Sequence, residues 1–255
     1  MSAEASQGLA SALERERVAG WIFTPVHDVM RKARMLVSGD PGVSLGLSQL
    51  LPTTLEEILG GLNRLAGWDF ANENGNRGRS WVSPELVAEQ ATGVAERLRL
   101  ACERRERVFF GTGHPTGPLE MYIRWADALA ERGASIVRLG DGEAFEGYHG
   151  GAEIRYICEV ACVSIGGDLA HTHSARPMEG MLGAGLRPDL VVGDHGFAGA
   201  ALTRGIDALG VVDTNDPALV LAWSRGLPLL PILCDDNRPP GAYRALADFV
   251  LDRLG

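Results

Sequence analysis

The chain has 255 residues, 24 basic and 33 acidic, with a formal net charge of −9 and 45% apolar residues. That describes a globular protein of one large or two small domains, with chain enough for a sizeable core. The acidic balance excludes a nucleic-acid backbone tracker, and because Lys32 is the only lysine, the second half can supply neither a Schiff base nor a P-loop lysine.

The amino terminus reaches Glu14-Arg15-Glu16-Arg17 without an apolar stretch, and no apolar run attains bilayer length. The expectation is a cytoplasmic protein with no membrane partner. Leu9 to Ala19 has the spacing of an amphipathic helix. Thr24-Pro25 marks a break, with Pro25 in the first turn of a helix running to about Val37. Ser38 to Gly42 is a turn. Pro52 to Glu57 reads as a helix start capped by Thr53 or Thr54. Asn72 to Ser80 is the most loop-like stretch. Ser83-Pro84-Glu85 supplies a cap, a first-turn proline and an acid for a helix to about Arg105. Residues 1–106 are therefore read as a mostly helical cap region, and residues 107–255 as an α/β catalytic domain, the two separate or integrated into one.

From Arg107 short apolar runs alternate with helical segments. Val108 to Phe110 is a strand, followed by a helix from about Leu119 to Arg132. Ala134 to Leu139 is the next strand, ending at Asp141. Ile154 to Ile165 contains another, ending near Asp168. Arg176 to Gly183 is a short helix. Strands at 189–193, 208–212 and 227–233 each precede a helix, at 198–204, 217–225 and 241–254. This alternation predicts a parallel, doubly wound, Rossmann-like three-layer sheet domain. The four cysteines are too few and scattered for a disulfide framework and read as small buried residues.

Residues 111–255 carry 11 basic and 19 acidic groups and five of the six histidines. Ligands of open parallel sheets bind beyond the carboxyl ends of the strands. Predicted strand ends here carry His114, Asp141, Asp168 with His171 and His173, Asp194-His195, Asp213 with Asn215 and Asp216, and Asp235-Asp236. Each aspartate alone is explained as a cap of the next helix. Capping does not require histidines beside it, whereas a shared polar site does.

Gly111-Thr112-Gly113-His114-Pro115-Thr116-Gly117 joins a strand to a helix. Its glycines permit a tight turn and close approach, and free amides at a helix start attract an anion. The spacing is one residue longer than the dinucleotide fingerprint, and no Gly-Lys follows. One phosphate or carboxylate is the expected ligand, with His114 as an extra donor or as acid for a leaving group; plain turn geometry is the competing reading. His171 and His173 project to one side of an extended segment, as a ligand pair or substrate clamp. Asp194, Asp213, Asn215 and Asp216 are the expected ligands of a divalent cation, Mg²⁺ or Mn²⁺. Cys234 ends an apolar strand and reads as core rather than nucleophile. Asp141-Gly-Glu143 is half of an aspartyl-phosphatase motif, without the partner lysine.

Thr112-Gly-His-Pro115, His171-Thr-His-Ser174, Asp194-His-Gly-Phe-Ala-Gly199 and Asn215-Asp-Pro-Ala218 together resemble an actinobacterial family described simply as phosphatases. Ala19-Gly20, Thr24-Pro25, Gly39-Asp40 and Leu45-Gly-Leu47 extend the resemblance over nearly the whole chain. Thr116, Pro118 and Arg176 depart from its pattern. Looser likenesses exist to D-glutamate cyclase-type proteins and to metal-dependent damage-control phosphatases. The resemblance and the residues together imply a divalent-metal-dependent phosphomonoesterase for a small phosphorylated metabolite such as a sugar phosphate or nucleotide. The cation would sit on Asp194, Asp213, Asn215 and Asp216, the phosphate in the 111–117 loop with His114, and His171, His173 or His195 would act as ligand or base. Arg31 and Lys32 are further anion contacts, and a homo-oligomer is compatible with the composition. The alternatives are a lyase or cyclase for a small carboxylate, and a non-catalytic phosphate- or nucleotide-binding module.

Overall fold

A computed structural model describes residues 3–71, 78–145 and 151–255. The 72–77 part of the expected loop, and His149, lie outside the described residues. The amino-terminal region holds α1 (Ala3–Arg15), β1 (Gly20–Pro25), α2 (Val26–Val37), α3 (Leu55–Ala66), β2 (Arg79–Val82) and α4 (Pro84–Glu103). Pro25 stands just before α2, where its fixed φ and missing N–H are harmless. Thr54, not Thr53, caps α3 by accepting the Glu57 amide, and Ser83 caps α4 by accepting that of Leu86. The region is not purely helical: β1 and β2 pair antiparallel as a separate two-stranded sheet.

The remainder holds β3 (Arg107–Gly111), α5 (Leu119–Glu131), β4 (Ser135–Ile136), β5 (Ala144–Phe145), β6 (Ala152–Ile157), β7 (Val160–Ile165) and β8 (Asp168–Ala170). After these come α6 (Arg176–Gly183), β9 (Leu190–Gly193), α7 (His195–Thr203), β10 (Asp207–Val212), α8 (Pro217–Ser224), β11 (Leu229–Leu233) and α9 (Arg244–Leu251). The central sheet has the order β11-β10-β9-β3-β7-β6-β5, with β4 also on β3 and β8 on β7. It is mixed rather than all parallel. β11, β10, β9, β3, β4 and β7 run parallel, while β5, β6 and β8 join antiparallel. The single strand expected within Ile154–Ile165 is a hairpin whose turn is Cys158-Glu159. Val108 pairs with β4 on one edge of β3 and with β9 on the other, so the chain leaves β3 in both directions across the sheet.

β3, β9 and β10 are buried along nearly their whole length, which is why they read as apolar runs without alternation. The residues of α7 from His195 to Leu202 and of α8 from Pro217 to Ala222 are likewise buried. They lie beneath α2, α3 and α6, which touch them from the outside. One contiguous apolar core runs from Leu9 in α1 to Leu254 beyond α9, so both halves share an interior. No helix among the described residues is long and apolar enough to cross a membrane.

Candidate active site

The loops after β3, β9, β10 and β11 converge on a cleft of about 250 Å³. His114, His171, His173 and His195 line it from the sheet side, with Asp213, Asn215, Asp235, Asp236 and Asn237. Phe23, Thr24 and Pro25 of β1, and Asp28 and Lys32 of α2, close it from the amino-terminal side. Asp141 and Asp168 do not take part. Asp141 pairs with Arg138 and accepts the Tyr156 amide, and Asp168 is exposed at the start of the β8 hairpin.

The glycine loop brings the other loops together. A Cβ on Gly113 would stand 2.2 Å from the Thr172 carbonyl oxygen, and one on Gly117 would stand 2.1 Å from that of Asp236. Only glycine permits these approaches, which set His114 against the 171–173 segment and against Asp236. Most of the loop amides are already engaged: those of residues 112, 113, 114 and 117 donate to Ala161 O, Asp194 Oδ1, Thr112 Oγ1 and His114 O, and Thr116 and the first residues of α5 do not line the cleft. Gly111 is packed under Phe197 and Thr116 is exposed, and neither borders the cleft. The loop therefore offers the His114 ring, not a backbone cradle.

The four imidazoles form one cluster. His114 stacks on His171 at 4.2 Å between centroids and His173 on His195 at 4.3 Å. The two-residue spacing brings Nε2 of His171 within 3.1 Å of Nε2 of His173. Asp236 is the hub: its Oδ2 lies 3.0 Å from His195 Nε2 and 3.2 Å from His114 Nδ1. His195 Nε2 also lies 3.6 Å from Asp216 Oδ2, and its Nδ1 lies 3.5 Å from Asp194 Oδ1. The Nδ1 atoms of both His114 and His195 are buried without a hydrogen-bond partner, so the 3.2 Å and 3.5 Å approaches are misaligned for hydrogen bonds. His195 holds a left-handed backbone, φ 43°, at the first residue of α7, which costs about 1 kcal/mol or more for a side chain of this size.

Neither Asp194 nor Asp216 behaves as a simple cap. Both occupy the N-cap position of a helix, and neither makes a capping hydrogen bond through its side chain. Asp194 instead accepts from Thr112 Oγ1 and the Gly113 amide, both at 2.6 Å, behind the imidazoles and away from the cleft. Of the expected cation ligands, Asp213 and Asn215 border the cleft and Asp216 reaches it beside His195. Thr24 Oγ1 donates to Asp213 Oδ2 at 2.7 Å. Asn215 is occupied at both ends, its Nδ2 donating to Asp28 and its Oδ1 accepting from Lys32 Nζ, each at 3.0 Å. Asn215 thus positions the one lysine over the cleft, while Arg31 pairs with Asp28 and does not line it.

Burial and mutual repulsion dominate the electrostatics. Burial raises the carboxyl of Asp213 well above its usual range, aided by Asp236, Asp235 and Asp216. Asp194, Asp216 and Asp235 are raised by burial too. Burial opposes charge on His195, yet Asp216, Asp236 and Asp194 outweigh it and lift the imidazole to about 10. His114 is raised in the same way, against burial, chiefly by Asp236. Asp236 is driven well below the ordinary carboxylate range by these two rings despite its burial. His171 falls to about 4 and His173 to about 2, through burial and the cationic neighbours. Cys234 is fully buried and its thiol is raised well above its ordinary value, so it is no nucleophile.

The arrangement suits a cation. His195, Asp216 and Asp236 place one donor atom each within 4.8 Å of one another, as do His114, His171 and His195. Donors sharing one ion at about 2.1 Å stand about 3.0–3.4 Å apart, near the 3.0 and 3.6 Å from His195 Nε2 to Asp236 and Asp216. Asp236 and Asp235 carry the same strand-end signature as the expected ligands but were not separated from it by sequence. Thr24 reads in the sequence only as part of a Thr-Pro break and of the family resemblance, and Asp28 carries no signal, because no periodicity marks the cover strand β1 that brings them in.

A family model described as Phosphatase matches residues 4–255. Phosphatase SCO2771 of Streptomyces coelicolor is 36% identical over 256 residues, covering 97% of this chain and 95% of that protein. No solved structure matches.

Proposed function

The chain belongs to the Phosphatase family, and on that premise we propose that it is a divalent-metal-dependent phosphomonoesterase for a small phosphorylated metabolite, such as a sugar phosphate or nucleotide, in the cytoplasm. The observation that supports the metal dependence is the convergence of Asp216 and Asp236 on His195 Nε2, in a buried cleft whose carboxylates exceed its cations. These three residues would hold the ion, with Asp213 beside them. The mixed nitrogen and oxygen donors favour Mn²⁺ over Mg²⁺. A bound ion would polarise the phosphoryl group and acidify a water.

The chain's own groups divide the remaining work. Lys32, fixed by Asn215 and Asp28, binds a phosphoryl oxygen. His114 borders the same space with its Nδ1 turned to Asp236 at 3.2 Å, and donates from the opposite ring nitrogen, Nε2, to the ester oxygen as the leaving group departs. His171 and His173, whose Nε2 atoms face each other at 3.1 Å on the cleft wall, orient the attacking water. We read the two-way exit from β3 as the switch point of a doubly wound sheet, the usual place for a ligand in this architecture.

Protein stripped of metal by chelation and assayed on a panel of phosphate esters tests this reading. Phosphate release should fall at least a hundredfold on stripping and return with Mn²⁺. Undiminished turnover after complete stripping overturns the metal role. No phosphate release with any cation overturns the phosphatase reading. Loss or gain of water from an amino or hydroxy acid would then indicate the cyclase alternative, and ligand-induced stabilisation without turnover the binding module.

A further inference from the structure

At the mouth of the cleft, on the amino-terminal side, three guanidinium groups surround one ring. The Cζ atoms of Arg17, Arg79 and Arg238 lie 5.2, 4.5 and 4.8 Å from the centroid of Phe23. Each comes from a different segment: the turn between α1 and β1, the start of β2, and the loop after β11. Phe23 itself lines the cleft and is 43% exposed. Among the described residues none of the three arginines forms an ion pair, although Glu14 borders the same hollow as Arg17 and Arg79. Arg238 is tethered through Nε to Glu16 O at 3.0 Å. The neighbouring Arg17 has a left-handed backbone, φ 57°, a costly conformation for a long side chain.

Like charges gathered at one point repel one another. A carboxylate would relieve that repulsion by cancelling the charge. An aromatic face attracts each cation by about 0.5–1 kcal/mol without cancelling it. Phe23 therefore assembles a cationic cluster that keeps its full charge for a ligand. The cluster sits on the rim of a cleft with an acidic floor, in a protein of net charge −9. Such a local reversal of sign steers and orients an anion. Lys32 and Phe23 both line the cleft, and the three arginines reach it through Phe23, Arg17 and Arg79 from the adjoining hollow, so the cleft offers one anion contact inside and a second where Phe23 stands.

We propose that Arg17, Arg79 and Arg238, assembled on Phe23, form a second anion subsite, and that the substrate is a phosphomonoester carrying another anionic group at its far end. The inference rests on the phosphatase reading for the first phosphoryl group. The second group is a phosphate or a carboxylate, both of which match the guanidinium fork.

The test compares 1,6-hexanediol bisphosphate, hexyl phosphate and 6-phosphohexanoate on the parent protein and on the R17A/R79A double variant. The bisphosphate should exceed hexyl phosphate in kcat/KM by at least tenfold, beyond the twofold due to its two equivalent ends, and mainly through KM. R17A/R79A should remove that advantage and leave kcat/KM for hexyl phosphate within twofold of the parent. An advantage shared by the phosphohexanoate identifies the general anion, and one confined to the bisphosphate identifies a phosphate. Equal kcat/KM for all three esters, or equal losses for all three in R17A/R79A, overturns the subsite. Calorimetric titration with the bisphosphate keeps the two readings apart. If no ester is hydrolysed, binding that R17A/R79A weakens tenfold upholds the subsite while the phosphatase reading fails; binding unchanged in R17A/R79A overturns it.

Discussion

Asp235 Oδ2 accepts the backbone amide of Phe23 at 2.8 Å across 212 residues of sequence, tying the cover strand to the end of the last sheet strand. Its Oδ1 accepts the Asn237 amide at 3.0 Å. Replacing Asp235 with Ala strips both amides of their acceptor and should lower stability by about 2 kcal/mol. Asp235→Asn keeps one carbonyl oxygen and should lose about half as much. Urea midpoints of the three proteins measure this, and an Asp235→Ala protein as stable as the parent would contradict the assigned tie.

Metal binding should be visible without any substrate. A ligand at a hundred times its dissociation constant stabilises the folded state by about 2.7 kcal/mol, worth about 5–10 °C in a chain of this size. Adding Mn²⁺ to stripped protein should raise the melting temperature by that amount. The rise should vanish in Asp236→Asn and in His195→Ala, which remove the hub and its nearest partner. A rise preserved in both variants would place the ion elsewhere.

Gly113→Ala should disable the site more than it disturbs the fold. The new methyl would require the Thr172 carbonyl to retreat by about 1.2 Å or more to reach ordinary contact, from the 2.2 Å it would otherwise meet. His171 and His173 flank that carbonyl, so turnover should drop at least a hundredfold. Gly180→Ala is the control. It adds its methyl into open space on α6 and should hold or slightly raise the melting temperature.

The Glu57–Arg225 pair sets a pH dependence away from the cleft. Hydrogen bonds from Arg225 and then Thr53 hold the Glu57 carboxyl down at about 2. A carboxyl depressed in the folded state stabilises it above the unfolded value, about 4.3, and that stabilisation fades as pH falls toward 2. Side-chain exposures of 31% and 35% limit the effect to about 0.5–1 kcal/mol. Glu57→Gln should therefore be less stable than the parent at pH 7 and approach it below about pH 3. A stability difference that is constant from pH 7 to pH 2 would refute the assignment.

The parts of this fold that sequence reveals are those where period and composition agree. β3, β9, β10 and β11 announce themselves as apolar runs ending in Asp or His, and their ends do meet. The β6–β7 hairpin stays hidden because its two-residue turn is Cys158-Glu159, with Cys158 at φ 52°, instead of the Asn-Gly or Asp-Gly pair that such turns prefer. β1 escapes notice because its exposed positions carry Trp21 and Phe23, which break the expected polar alternation. Within the site, the histidines and strand-end acids are legible by type. Rank among them is not: Asp235 and Asp236 are adjacent and identical, and only backbone direction makes one a structural tie and the other the hub. The engagement of the Gly113 and His114 amides is equally invisible, since it depends on where Asp194 and Thr112 point.

The shared core has one consequence for how molecules enter and leave. β1 and α2, which roof the cleft, are anchored in the same interior as the sheet beneath them. A roof built into its walls is not a separate hinged domain. Phe23, 43% exposed on the cleft lining, therefore presents shape and charge to an entering molecule from a position set when the chain folds.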